Sequence, residues 1–263
     1  MQFETLQLER RDHVAWLTLN RPQSLNAMNR ALVNELRAFF GGLAQDHDTR
    51  VVVLRGAGRA FCAGLDLKES QDGDGSVQAS LRAQRTISEL VIMMRRVPQP
   101  IIACVHGAAC GGGFALALGA DVRIAGESAR MNAAFIRIGF SACDIGVSYF
   151  LPRMVGASVA AELLLTGNFI DARRAERLGL VSRVVPDGEL DTAARELAGD
   201  MLRNSPLGLR LTKECLNASL DAGSLEQVIA MEDRNQILCT RTEDVREGVA
   251  AFLQKRPPHY ADR

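Results

Sequence analysis

Two glycine-bearing stretches hold the residues best suited to chemistry. Residues 59–67 read Arg-Ala-Phe-Cys-Ala-Gly-Leu-Asp-Leu, and residues 106–121 read His-Gly-Ala-Ala-Cys-Gly-Gly-Gly-Phe-Ala-Leu-Ala-Leu-Gly-Ala-Asp. Each sets glycine at a turn beside an apolar run, where main-chain N–H groups can be left without an internal partner. Two such groups converging on one carbonyl oxygen form an oxyanion hole, which stabilises negative charge developing on that oxygen. Gly111, Gly112 and Gly113 lie between a buried-strand pattern and an apolar helix pattern. At least one of their N–H groups then stands at a helix N-terminus, where the dipole and the unpaired donors favour an anion. Close packing of strand on helix would also select glycine there. The second turn, in which Gly64 can expose the N–H of Leu65, tips the balance toward chemistry.

The elements that must position these turns follow from periodicity. Residues 13–20 alternate and are rich in β-formers, which predicts a strand closed by Arg21-Pro22. Residues 29–43 carry Leu32, Val33, Leu36, Phe39 and Phe40 at helical spacing and end at Gly41-Gly42. Residues 50–55 and 101–105 read as buried strands, residues 122–125 and 181–185 as further strands. Residues 70–76 form a polar, glycine-rich loop before a long helix over 77–97, stopped by Pro98 and Pro100. A short apolar helix starts at 111–119, and another helix spans 157–166 with Gly167 at its end. Asp171 caps a further helix that stops at Gly179. From Asp191 onward the pattern is all helical, with Ser205-Pro206 as N-cap and first-turn proline and Ser224 to Gln227 as a capping box. The architecture therefore changes near residue 190: strand–strand–helix units over 1–190, helices over 191–263.

Other chemistries find less support. Residues 51–58 look like a strand entering a G-x-G turn, but the third glycine of a dinucleotide fingerprint would fall at Phe61, and a loop follows where a helix is needed. His13, His47, His106 and His259 are scattered without paired ligand spacing, so no metal site is expected. His106 reads as a hydrogen-bonded structural histidine. The 31 Lys+Arg equal the 31 Asp+Glu, which leaves no global field for nucleic acid or an anionic membrane. No stretch approaches the roughly 20 apolar residues of a membrane span, and no signal peptide is visible. Cys62, Cys104, Cys110, Cys143, Cys215 and Cys239 have no C-x-x-C spacing and read as reduced thiols of a cytoplasmic protein.

The two glycine stretches, in this order, resemble the crotonase (enoyl-CoA hydratase/isomerase) family, and the likeness runs from about Thr5 to Tyr260. The resemblance implies an α/β spiral of ββα turns, followed by a helical C-terminal region that assembles trimers or hexamers of paired trimers. The helices there present Leu225, Val228, Ile229, Ile237 and Leu238. It implies an acyl-CoA thioester held by the N–H groups of Leu65 and Gly112, with coenzyme A arriving as part of the substrate and no separate cofactor. The nucleotide end would meet Arg21 and the backbone around Leu25 and Ala27, with Ala63 and Asp66 close to the adenine and pantetheine. Phe252 and Lys255, in Phe-Leu-Gln-Lys-Arg, resemble a closing motif that meets CoA from a neighbouring helix or subunit. For Arg21, Lys255 and Arg256 a solvated surface charge is an equal reading.

The chain departs from the family's hydratases at the acid–base group. The positions of their two glutamates carry Ala115 and Phe135. Neither side chain moves a proton, and proton transfer by a placed group is worth roughly 10²–10⁴-fold. Asp144, in Cys-Asp-Ile-Gly-Val-Ser-Tyr-Phe-Leu-Pro-Arg-Met-Val-Gly over 143–156, resembles the aspartate that moves the substrate proton in crotonase-type isomerases. An apolar setting would raise its pKa. The competing reading, which weighs less and can coexist with catalysis, is that Asp144 N-caps the segment that follows; Ser148 and Tyr149 are weaker polar candidates. Isomerisation through Asp144 fits best. Hydration through other residues, acyl-CoA binding without turnover, and a hydrolase or C–C-cleaving reaction remain the alternatives.

Overall fold

The computed structural model describes residues 3–68 and 76–263, so the loop read at 70–76 lies, apart from Ser76, outside the described residues. The chain opens with a hairpin of β1 (Leu6–Arg11) and β2 (Val14–Leu19), turned at Asp12 and His13, both at positive φ. The sequence pattern had flagged only the second of these strands. The first is a half-exposed edge with polar residues between its leucines. Helix α1 (Arg30–Gly42) starts at Asn29, whose side chain accepts the Leu32 N–H, and buries the five apolar residues its spacing predicted. Strand β3 (Val51–Gly56) follows, then α2 (Val77–Arg96), capped by Ser76.

Strand β4 (Ile101–Val105) leads through the short β5 (Ala108–Cys110) into α3 (Gly112–Gly119), and β6 (Val122–Gly126) and β7 (Arg130–Asn132) come next. A 3₁₀ turn over Ala134–Ile138 precedes α4 (Val147–Val155) and α5 (Ala157–Thr166), the latter ending at Gly167 in the left-handed conformation. The two-residue β8 (Ile170–Asp171), α6 (Ala172–Arg177) and β9 (Arg183–Val185) complete the α/β part. Asp171 caps α6 as its sequence position foretold. The remainder is helical: α7 (Leu190–Leu202), α8 (Pro206–Ser219), α9 (Leu225–Thr240) and α10 (Glu243–Gln254). Ser224 caps α9 through the Gln227 N–H, while the Gln227 side chain reaches back to the Gly223 N–H.

Six strands form one sheet in the order β1-β2-β3-β4-β6-β9, parallel except for the opening hairpin, and β5, β7 and β8 form a second, small sheet. Alternate residues of the main strands serve two cores. Leu17, Leu19, Val52, Leu54, Ala103 and Val105 face α1, α2 and α3; Val14, Trp16, Val51, Val53, Ile102 and Ile124 face α7. Covering on both faces explains why β3 and β4 read as buried apolar runs, and why β2, read as an alternating strand, is buried at every residue.

Helix α3 is buried along its whole length. Its C-terminal carbonyls are met by the buried Arg123 guanidinium, which donates to Ala120 at 2.7 Å and to Leu180 at 2.8 Å. A cation there complements the helix dipole whose positive end lies at Gly112. Helix α8 is tied to the α/β part by Lys213, whose ammonium sits 2.8 Å from Asp121 and donates to the Met94 and Gln99 carbonyls. Among the described residues no helix is long and apolar enough to cross a membrane.

Candidate active site

The two glycine turns meet. A Cβ built on Gly64 would lie 3.6 Å from the Gly112 nitrogen, and one on Gly112 would lie 3.9 Å from Gly64 Cα. Gly64 has φ +105°, and Gly111, which caps α3, has φ +51°. These are regions that glycine enters freely and other residues rarely. The turns are locked together by short parallel bridges: Cys62 pairs with Ala109 and Met28 with Leu65. The bridges consume the neighbouring N–H groups. Cys62 donates to Ala108, Cys110 to Cys62, Met28 to Gly64 and Asp66 to Met28. Among the described residues, the N–H groups of Leu65 and Gly112 donate to no protein acceptor. Gly113 fixes the approach of α3, because a Cβ there would stand 2.1 Å from the Cys62 carbonyl oxygen.

The loop after β2 is zipped onto the same corner. Ala63 N–H donates to Leu25 at 2.9 Å, and Arg21 donates to the Ala27 carbonyl and pairs with Asp66 at 3.0 Å. Arg21, Leu25, Ala27, Ala63 and Asp66 are thereby brought together. Arg21 and Asp66 are each largely covered, so Arg21 is an internal clamp rather than a solvated surface charge. Leu25 and Asn26 both take positive φ. The fully buried Asn26 holds that conformation by accepting the Arg21 N–H and donating to the Ala57 and Ala60 carbonyls.

Asp144 lies on a strap that packs against this corner. Ile145, its neighbour, has Cδ1 3.6 Å from where a Gly112 Cβ would be. Ile145 has φ +48° and Gly146 φ +82°. Positive φ at a β-branched residue costs about 1–3 kcal/mol and persists only where surroundings enforce it. Asp144 is not an N-cap: α4 is capped by Gly146, without a side-chain bond. Its Oδ1 instead accepts the Ile145 N–H at 2.8 Å and the Gln84 side-chain amide at 2.6 Å. Among the described residues Oδ2 has no partner. Burial pushes the Asp144 pKa up, against the opposing pull of the Ile145 and Gln84 donors.

The family model for enoyl-CoA hydratase/isomerase matches residues 9–263. The chain belongs to this family. Its fold is the crotonase fold: an enoyl-CoA hydratase from Bacillus anthracis superposes with a TM-score of 0.94 at 34% identity, over 99% of this chain and 100% of that one. A probable enoyl-CoA hydratase, EchA12, of Mycobacterium tuberculosis is 40% identical over 258 residues, 96% of this chain and 90% of that protein. The 1,2-epoxyphenylacetyl-CoA isomerase of Escherichia coli is 36% identical over 252 residues, 95% of each.

Within this family's frame, Ala115 is fully buried in α3, and the Phe135 ring stands 3.4 Å from where a Gly111 Cβ would be. Apolar atoms therefore occupy both positions. The Cys62 thiol beside Gly113 is buried and pushed up to about 12, which leaves it un-ionised and inert. Tyr149 donates to Asp221 at 2.7 Å, and Ser148 is exposed. His106 hydrogen-bonds the Gly58 carbonyl at 2.9 Å, a structural role.

Phe252 and Lys255 are not joined to this corner by any contact among the described residues. Phe252 is 83% exposed, Lys255 closes α10 at φ +54°, and Arg256 is held by Glu247. The sequence reading passed over Asn26, Met28, Gln84 and Ile145. Met28 is buried with its Cε against Gly112. A left-handed asparagine after the strand was the one available signal; a mid-helix glutamine gives none.

Proposed function

We propose that this protein isomerises the double bond of an acyl-CoA thioester, using the Leu65 and Gly112 N–H groups as an oxyanion hole and Asp144 as the proton carrier. The thioester oxygen accepts both N–H groups, which acidifies the α or γ carbon. Asp144 Oδ2 takes a proton from one carbon, and the C–H electron pair moves into the enolate, with its charge on the thioester oxygen. The proton returns to a different carbon, the double bond moves, and the carboxylate is restored. The chemistry calls for no resident cofactor, since coenzyme A is the handle of the substrate. Arg21 and Asp66 shape the pocket that receives it, alongside Leu25, Ala27 and Ala63.

The observation that carries this reading is the half-buried Asp144, anchored by one oxygen and open at the other, on a strap that touches Gly112. Ala115 and Phe135 argue against water addition by two glutamates. Replacing Asp144 with Asn tests it. The Asn Oδ1 keeps both donors, so an isomerase loses turnover while still binding its CoA ester. Unchanged turnover would refute the assignment.

On the same reading the chain assembles as a trimer, alone or paired into a hexamer. Leu225, Ile229, Ile237 and Leu238 of α9 and Phe252 and Leu253 of α10 are exposed in the single chain, which is costly in water and suits a buried interface. Phe252 and Lys255 then approach the CoA of a neighbouring subunit. Sedimentation at micromolar concentration should give a trimer or its multiple; a monomer would contradict this.

A further inference from the structure

Asp144 is positioned from a distance in sequence. Gln84 stands in the first half of α2, and its amide reaches across to Oδ1 of Asp144 at 2.6 Å. The same oxygen takes the Ile145 N–H at 2.8 Å. Two donors on one carboxylate oxygen have a chemical consequence. When the group is ionised, both donors stabilise it. When it is protonated, the donors still require Oδ1 to be an acceptor, so the proton must sit on Oδ2. The carboxyl group can then cycle between base and acid without rotating.

Resting on the assignment of Asp144 as proton carrier, we infer that Gln84 is its positioning residue, clamping Oδ1 together with the Ile145 N–H so that the proton enters and leaves by Oδ2. An amide suits the task because it donates without ever competing for the proton. Among the described residues the causes of the upward shift at Asp144 and of the opposing pull are burial, the Ile145 N–H and the Gln84 amide; Arg82, Arg85 and Glu89 on α2, Arg137 on the preceding turn and Arg153 on α4 are not among them, and α3 has no titratable side chain.

The deciding experiment compares the full-length protein with Gln84→Leu, Gln84→Glu and Asp144→Asn. The free-protein Asp144 carboxyl is titrated by ¹³C NMR, its signal assigned by its absence in Asp144→Asn, and kcat and KM are measured on 3-hexenoyl-CoA. Gln84→Leu should move the Asp144 titration upward and lower kcat about tenfold, the worth of one hydrogen bond to a charged group, with KM nearly unchanged. Gln84→Glu, isosteric and so expected to fold, should move the titration further upward, because a second carboxylate opposes ionisation. An Asp144 titration unmoved in both Gln84 variants overturns the inference, whatever happens to kcat. Turnover that survives Asp144→Asn overturns the underlying assignment instead, and the two failures are told apart by that variant alone.

Discussion

The glycine corner and the Asp144 strap touch each other, yet they are built on opposite principles. In the proposed mechanism both act on substrate, the corner through main-chain N–H groups. Its geometry is set by what cannot be there: a Cβ on Gly113 or Gly64 would strike the Cys62 or Cys110 carbonyl. The strap works through one side chain, held by an amide on another helix and by a backbone in an unfavourable conformation at Ile145. On the proposed reading, the corner polarises any thioester oxygen and the strap decides what happens to the polarised molecule. The difference then teaches that one scaffold can keep its substrate class while its reaction changes, because the donors would belong to the fold and the proton carrier would not.

The comparison can be broken most forcefully at the strap. Asp144→Asn should lower kcat by roughly 10²–10⁴, the ordinary worth of a placed proton carrier, while CoA-ester binding measured by calorimetry stays within about twofold. At the corner, Gly112→Pro removes one N–H at the first helical position and requires the buried Met28 Cε to shift, so its fold is first checked by circular dichroism. It should lower turnover of every acyl-CoA by about 10²–10³. A loss confined to some acyl groups would place the donor elsewhere.

Acidity separates the regions further. Because burial raises the Asp144 pKa, the rising limb of kcat/KM with pH should lie above the usual carboxylate range. The sign for stability is opposite. Between the unfolded and the raised folded pKa the native state binds more protons, so this group's contribution to stability falls as pH rises through that window. Asp144→Asn should therefore melt relatively higher than the parent at neutral pH than at acid pH, measured by calorimetry. Equal pH dependence would deny the strap its burial. The smallest effect belongs to the exposed Cys143 next door. Cys143→Ser should leave stability within about 0.5 kcal/mol and turnover within about twofold.

How far each region was legible follows the same division. The corner could be read because glycine is demanded there by backbone geometry, and such demands are local in sequence. The caps at Asp171, Ser205 and Ser224 were legible for the same reason. The small sheet was not. Its strands, β5, β7 and β8, run two or three residues each, too short for any alternation to register. Asp144 could be seen as a candidate, but its alternative as an N-cap fell only when Gly146 proved to cap α4. Arg21 stayed open between a phosphate contact and a solvated surface charge because its partner, Asp66, arrives through folding. The clamp from Gln84 is 60 residues away from Asp144, and no local pattern encodes it.

Mass spectrometry of crotonyl-CoA and 3-hexenoyl-CoA after incubation with the protein in deuterated water tests the central claim most directly. Proton transfer by Asp144 predicts deuterium uptake with a shifted double bond and no mass gain from water. A hydrated product would contradict it, showing that water is activated despite Ala115 and Phe135.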